Sequence, residues 1–72
     1  MDAVVNLKSG RRTVVDDLLH LLVRTSEDSS QTKVTDFSSF RILPGHEITF
    51  IGSESTVVFP ADEIEFLNFR SK

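Results

Sequence analysis

Hydrophobic and polar residues alternate most regularly over residues 47–59, near the C-terminal end of the chain. Successive side chains of a strand point to opposite faces, so residues 47–51 and 56–59 are predicted to form the two strands of a hairpin around residues 52–55. If Gly52 faces Ser55, the register places Thr49 and Val58 on one side of the hairpin. The other side is then an apolar face made by Ile48, Phe50, Val57 and Phe59.

A third strand is predicted at residues 64–69, so that an antiparallel sheet is built on residues 47–69. Pro60 separates it from the hairpin, because proline has no backbone N–H to donate to a ladder. Simple alternation along this strand places Ile64 and Phe66 on the core face. Leu67 and Phe69 then lie on the opposite face.

The N-terminal residues 3–7 are rich in β-branched and apolar side chains, which is typical of a strand. Ser9-Gly10 follows and fits a two-residue hairpin turn, since glycine accepts the positive φ that such turns need. The chain would then return through residues 11–15. In that register Val5 faces Val14 and Leu7 faces Arg12.

Residues 14–24 fit two patterns. Val14, Leu18 and Leu22 lie on one helical stripe, and acidic residues at 16 and 17 suit the first turn of a helix. A strand with strict alternation would instead turn Asp16 and His20 toward the core, which is costly unless they are paired. We therefore predict a short helix over residues 16–24, preceded by a second strand.

Residues 25–32 are all polar and are predicted to form an exposed loop. A short strand is predicted at residues 32–36, with Val34 as its apolar member. Phe37 and Phe40 are three residues apart, as on one side of a helical turn, and Asp36 is placed to cap that turn. Pro44-Gly45 fits the two central positions of a type II turn.

Together these elements predict an α+β or mainly β fold, with α+β preferred: a small antiparallel sheet of four to six short strands and one short helix near residues 16–24. The chain has 72 residues, a length that predicts one small domain over residues 1–72. The generic stability scale gives such a chain a free energy of unfolding of roughly 4–11 kcal/mol. All six phenylalanines follow residue 36, which predicts a core weighted to the C-terminal half.

The composition describes a folded, mildly acidic chain, with 39% hydrophobic residues, a net charge of −3 and no cysteine. Disulfides and thiolate metal sites are therefore excluded, and a cytoplasmic location is expected. No apolar segment is long enough to span a bilayer, and no signal-peptide pattern is present. Small domains without disulfides or metals often gain stability as oligomers, so a homodimer is a natural expectation.

The sequence contains no recognisable catalytic, cofactor or metal site, and we do not expect an enzyme. His20 and His46 lack the spacing of a metal site. No serine stands in a nucleophile elbow. The neighbouring carboxylates at 16–17 and 62–65 are interpreted as a helix start and a turn.

Two surfaces are candidates for binding. Apolar residues left on the face opposite the predicted core would be covered either by the protein's own helix or by a partner protein. These are Ile51, Val58, Leu67 and Phe69. The lesser candidate is a cluster of cations at the first hairpin tip, Lys8, Arg11 and Arg12, which suits contacts with nucleic-acid phosphates.

Three segments carry a resemblance to a known group of proteins: Leu7-Lys8-Ser9-Gly10, Thr35-Asp36-Phe37 and residues 60–66. With them the chain resembles short uncharacterised proteins of Gram-positive bacteria and their phages. The resemblance implies an accessory role for a mobile element or its host, without an assigned chemistry or functional residues. The functional hypothesis is therefore a non-enzymatic module that binds itself or another protein, and the alternative is a small nucleic-acid-binding protein.

Overall fold

The computed structural model describes residues 1–25 and 30–71, and this part of the chain contains seven antiparallel strands and no α-helix. The fold is therefore mostly β. The predicted antiparallel strands are confirmed, whereas the preferred α+β class and the number of four to six strands are wrong. The strands are β1 (Asp2–Leu7), β2 (Arg12–Val15), β3 (Leu18–Arg24), β4 (Gln31–Val34), β5 (Glu47–Gly52), β6 (Thr56–Pro60) and β7 (Ile64–Arg70). A short 3-10 turn, Ala61–Glu63, joins β6 to β7.

The strands form two sheets, a three-stranded sheet in the order β2-β1-β7 and a four-stranded sheet in the order β4-β3-β5-β6. The chain passes from one sheet to the other at a corner between β2 and β3, where Asp17 has a φ of 51°. The backbone N–H of Ser53 donates to the Asp17 carbonyl over 3.1 Å, which ties this corner to the β5–β6 turn. Such bends let one continuous segment contribute to both sheets.

The inner faces of the two sheets pack against each other and form the core. Val5 comes from the first sheet, Leu21 and Phe50 come from the second, and all three side chains are fully buried. Both halves of the chain contribute to the fully buried cluster, which does not show the predicted weighting toward the C-terminal half. Most of the partly buried apolar side chains packed against it do follow residue 36. The complete buried cluster is Ala3, Val5, Val15, Leu18, Leu21, Ile48, Phe50, Ala61 and Ile64.

The hairpin predicted near the C-terminus is confirmed, including its register. Ile51 pairs with Thr56 and Phe50 with Val57, and the Gly52 N–H donates to the Ser55 carbonyl over 2.8 Å. Phe50 is fully buried, whereas Val58 points outward and is 49% exposed. Alternation therefore identified both faces of this hairpin correctly.

The predicted helix over residues 16–24 is wrong, because this segment is strand β3. Asp16 lies in the corner before the strand, so it never enters the sheet interior. A bulge at Leu19 then shifts the register between Leu18 and His20. The shift lets Leu18 and Leu21 both face the core while His20 faces outward, which strict alternation does not allow.

The first hairpin forms, but its predicted register is wrong by one residue. Val5 pairs with Thr13 rather than Val14. The turn contains three residues, Lys8 to Gly10, because the Leu7 N–H donates to the Arg11 carbonyl over 2.9 Å. Gly10 has a φ of 93°, as expected for the third residue of a three-residue hairpin loop.

Strand β7 is present as predicted, but its partner and its faces differ from the prediction. It pairs with β1 in the three-stranded sheet and not with the hairpin. A bulge leaves Glu65 outside the ladder, because Leu7 pairs with Ile64 whereas Asn6, the residue before it, pairs with Phe66. Phe66 consequently points outward, and the predicted core position of its side chain is wrong.

The segment between β3 and β5 follows the prediction in part. Of the polar loop expected at residues 25–32, residues 26–29 lie outside the described part of the chain, and Gln31 already belongs to β4. The turn at Pro44-Gly45 is confirmed: Gly45 has a φ of 81°, and the His46 N–H donates to the Leu43 carbonyl over 3.3 Å.

Candidate functional site

Strand β7 is an edge strand, because in the described part of the chain it pairs with β1 alone. With seven residues it is longer than the other edge strands, β2, β4 and β6, which have four, four and five residues. An edge strand presents unpaired backbone N–H and C=O groups that can pair with another chain. The free side of β7 is therefore a candidate binding edge.

An open apolar groove of about 580 Å³ lies beside this edge. One wall is β7 and the other is the segment of residues 37–43. The groove is lined by Phe37, Phe40, Arg41, Ile42, Leu43, Glu65, Phe66, Leu67 and Phe69. Two of its apolar side chains are well exposed, Leu43 at 50% and Phe66 at 53%.

The wall opposite β7 is held in place by hydrogen bonds to Asp36 and by the contact of the Phe37 ring with the Phe69 ring. The Asp36 carboxylate accepts hydrogen bonds from the Ser38 hydroxyl over 2.6 Å and the Ser39 hydroxyl over 3.1 Å. The Ser38 N–H donates to the same carboxylate over 3.2 Å. The predicted cap is therefore present, and these bonds to the charged carboxylate, the Ser38 hydroxyl first among them, lower the pKa of Asp36.

The four predicted apolar interaction residues do not share one surface. Leu67 and Phe69 face inward and pack against the core, so the prediction that they lie opposite the core is wrong. They nevertheless line the groove at the β7 edge. Ile51 and Val58 do lie on the outer face of the four-stranded sheet, on the neighbouring strands β5 and β6.

Sequence reasoning missed Phe66 and Leu43 as surface residues. Phe66 was assigned to the core because the bulge at Glu65 leaves no signature in the hydrophobic pattern. Leu43 precedes the Pro44-Gly45 turn, and the sequence gives no indication that this turn faces β7. The available signal was the spacing of Phe37 and Phe40. It indicated that both rings lie on one side of a turn, but it did not indicate that this side faces β7.

The three cations of the first hairpin tip are divided between two surroundings. Lys8 and Arg11 line an open cavity of about 600 Å³ together with Asp62 and Glu63, and the Lys8 N–H donates to the Glu63 carbonyl over 2.9 Å. Arg12 instead pairs in the ladder with Asn6 on β1. Acidic side chains thus accompany two of the three cations, which reduces the positive potential that a phosphate backbone would meet.

In the described ranges no polar or charged side chain is buried, and no group of histidine, aspartate and glutamate is arranged to hold a metal ion. Arg24 and Glu47 form an ion pair of 2.6 Å between β3 and β5. Both side chains are exposed, so the pair contributes about 0–1 kcal/mol to stability.

The described residues include no helix that could cross a membrane. Comparisons with protein-family models, curated proteins and solved structures found no match for this chain. The fold defines it as a small all-β protein with antiparallel sheets.

Proposed function

We propose that the chain is a non-enzymatic protein-interaction module that binds an extended segment at the β7 edge. The observation that carries the proposal is the coincidence of a long unpaired strand edge with an apolar groove. In this mode of recognition, backbone hydrogen bonds to the edge supply affinity and a neighbouring groove accepts alternate side chains. An accessory protein of a bacterium or phage, as the resemblance implies, could work in this way without a cofactor.

The exposed apolar side chains at the groove support the same proposal. Fully burying a phenylalanine or leucine side chain contributes about 1.5–3 kcal/mol. Phe66 and Leu43 are each about half exposed, so covering both would contribute about 1.5–3 kcal/mol in total by the same scale. Affinity beyond that would come from the backbone ladder and from the rest of the groove.

Nucleic-acid binding at the hairpin tip remains the alternative, and the described structure favours it less. Asp62 and Glu63 share a cavity with Lys8 and Arg11. Proteins that bind single strands usually combine a continuous basic groove with exposed aromatic side chains. At this tip the cavity is of mixed charge, and its one aromatic residue, Phe59, is packed against the core.

The test is a capture experiment with matched variants, carried out in bacterial lysate with and without nuclease treatment, together with measurement of the mass of the purified protein in solution. Phe66→Lys places a charge at the β7 edge, and Val58→Lys places the same charge at an equally exposed position on the other sheet. We expect the wild type and Val58→Lys to retain a protein partner or to self-associate, and Phe66→Lys to lose this association. Circular dichroism and thermal melting verify that both variants fold.

Two outcomes would overturn the proposal. One is a strict monomer that retains no protein. The other is association that Phe66→Lys leaves intact or that disappears after nuclease treatment, because either result would place binding away from the β7 edge.

A further inference from the structure

We infer that the occupant of the β7 edge is the same edge of a second copy, so that two three-stranded sheets join into one continuous six-stranded sheet. The two β7 strands would run antiparallel, with the two-fold axis at Asn68. This inference rests on the proposed function, since it names the partner of that edge. A two-fold axis makes the contact self-complementary, as in most homodimers.

Strand β7 carries few of the devices that usually keep edge strands from pairing. Natural edges are kept short or carry lysine, proline or bulges. Of the other edges, β4 is short and contains Lys33, and β6 ends at Pro60. Strand β7 has neither lysine nor proline, and its bulge at Glu65 lies at one end and leaves residues 66–70 in a regular ladder with β1.

On the inner face, apolar side chains of the two copies meet. With the axis at Asn68, Leu67 of one copy faces Phe69 of the other, and the same contact occurs twice. Both residues already pack against the core. Pairing would therefore extend each apolar core into the next copy, and aromatic–aliphatic cross-strand pairs of this kind stabilise sheets.

On the outer face, the same pairing brings a cation against an aromatic ring. The same axis places the Arg70 guanidinium of one copy opposite the exposed Phe66 ring of the other, again twice. Arginine over an aromatic ring is a favourable contact. The two Arg70 residues would lie four residues apart along the strands, about 13 Å, so like charges do not meet. At the centre, the Asn68 side chains of the two copies face each other, and amide groups can both donate and accept hydrogen bonds.

Other axes lose this match. An axis between two residues would pair an inward side chain with an outward one, for example Leu67 with Asn68, because faces alternate along a strand. An axis at Leu67 would set Phe66 against Asn68 and Glu65 against Phe69. An axis at Phe66 would set Glu65 against Leu67. Only the axis at Asn68 pairs apolar with apolar and cation with aromatic.

The chain has no cysteine, so a single introduced cysteine can report the register. Facing residues of antiparallel strands have Cα atoms about 4.5–5.5 Å apart, which is within the range of a disulfide. We expect Asn68→Cys to oxidise to a covalent dimer of twice the 8.1 kDa chain mass. Phe66→Cys alone and Arg70→Cys alone should not crosslink efficiently, but a mixture of the two should give the mixed dimer.

The matched control is Asn6→Cys, which lies on the outer face of the same sheet but on the central strand β1. We expect Asn68→Cys to crosslink at least ten times faster than this control at equal protein concentration. The inference is overturned if the two rates are equal, if Leu67→Cys or Val58→Cys crosslinks faster than Asn68→Cys, or if the oxidised protein remains monomeric.

The results separate the inference from the proposed function. A monomer that captures another protein, and loses it in Phe66→Lys, would overturn the second-copy inference and leave the interaction module standing. A monomer that captures nothing would overturn both. Rapid crosslinking at residue 68 in the stated pattern would support both.

Discussion

Phe37 stacks on Phe69, with ring centroids 5.2 Å apart and the two planes inclined by 18°. Phe37 belongs to the segment that links β4 to β5, and Phe69 belongs to the last strand. The contact therefore attaches one wall of the groove to the edge strand that forms the other wall. The Asp36 hydrogen bonds also fix the turn at its start. Both walls of the groove are therefore held by contacts within the chain.

Replacing Phe37 with alanine should loosen this wall. An aromatic pair contributes about 0.5–1.5 kcal/mol beyond the burial of its surface, and truncating a partly buried ring adds the lost transfer energy. We expect Phe37→Ala to lower the free energy of unfolding by about 2–3 kcal/mol in urea titrations.

Leu43→Ala is the matched control for this change, because Leu43 lies in the same segment and is half exposed. Surface substitutions of this kind usually change stability by no more than about 0.5 kcal/mol. Equal losses in the two variants would contradict a supporting role for the Phe37–Phe69 stack.

The most consequential core position should be Phe50, which is fully buried and meets Phe59 edge-on with ring centroids 6.5 Å apart. Phe50→Ala should cost about 3–5 kcal/mol, a large share of the roughly 4–11 kcal/mol expected for a chain of this length. At the lower end of that range much of the protein would then be unfolded, as near-ultraviolet circular dichroism would show. Phe50→Leu should retain a cooperative transition. A smaller loss of unfolding free energy in Phe50→Ala than in Phe50→Leu would contradict this core assignment.

Gly52 and Gly10 should respond differently to substitution. A Cβ at Gly52 would lie 2.6 Å from the Asp16 carbonyl oxygen and 2.8 Å from a methyl of Val15. Both belong to the packed corner between the sheets, so Gly52→Ala should cost about 1–3 kcal/mol through overpacking. A Cβ at Gly10 would meet no other atom within 4 Å, but the residue has a φ of 93°. At this position only the backbone conformation disfavours a side chain.

Asparagine separates the two causes, since it tolerates positive φ better than other side chains. We expect Gly10→Asn to unfold at a higher urea concentration than Gly10→Ala, whereas Gly52→Asn should be less stable than Gly52→Ala. The reverse order at Gly52 would show that the corner relaxes around a Cβ.

The turn at Asp36 should be sensitive to acid. Hydrogen bonds from Ser38 and Ser39 favour the charged carboxylate and lower the pKa of Asp36 in the folded protein. A lowered folded pKa stabilises the turn at pH values above the ordinary aspartate pKa of about 3.9, and that contribution is lost as the pH falls through the folded value. A carboxyl carbon titration by NMR should show this midpoint below that of a free aspartate.

Ser38→Ala should raise the pKa of Asp36 toward its ordinary value, because it removes the hydroxyl that contributes most to the shift. Ser53→Ala, in the distant β5–β6 turn, serves as the control and should leave the midpoint unchanged. An unchanged midpoint in Ser38→Ala would show that this hydroxyl does not hold the carboxylate.

Elements formed by neighbouring residues could be predicted from the sequence. The β5–β6 hairpin follows from strict alternation and a tight turn, and the Pro44-Gly45 turn follows from the backbone preferences of its two residues. The cap at Asp36 is equally local, because its partners are two and three residues away. For these features the chemistry that decides the structure lies within a few positions of sequence.

The candidate site was only partly predictable. Leu67 and Phe69 were identified as interaction residues, and both line the groove, but they were placed on the wrong face. Phe66 was assigned to the core. The error has a single origin, the bulge at Glu65, which reverses the alternation for the rest of the strand.

The sequence by itself determined where most strands lie, and it determined the turn of the β5–β6 hairpin and the turn at Pro44-Gly45. Only the tertiary structure decided that residues 18–24 form a strand, that β7 pairs with β1, and which phenylalanine faces solvent. The physical reason is that strand pairing is a contact between distant residues. A bulge such as those at Leu19 and Glu65 forms to fit the partner strand. The local pattern of hydrophobic and polar residues does not specify which strand that partner is.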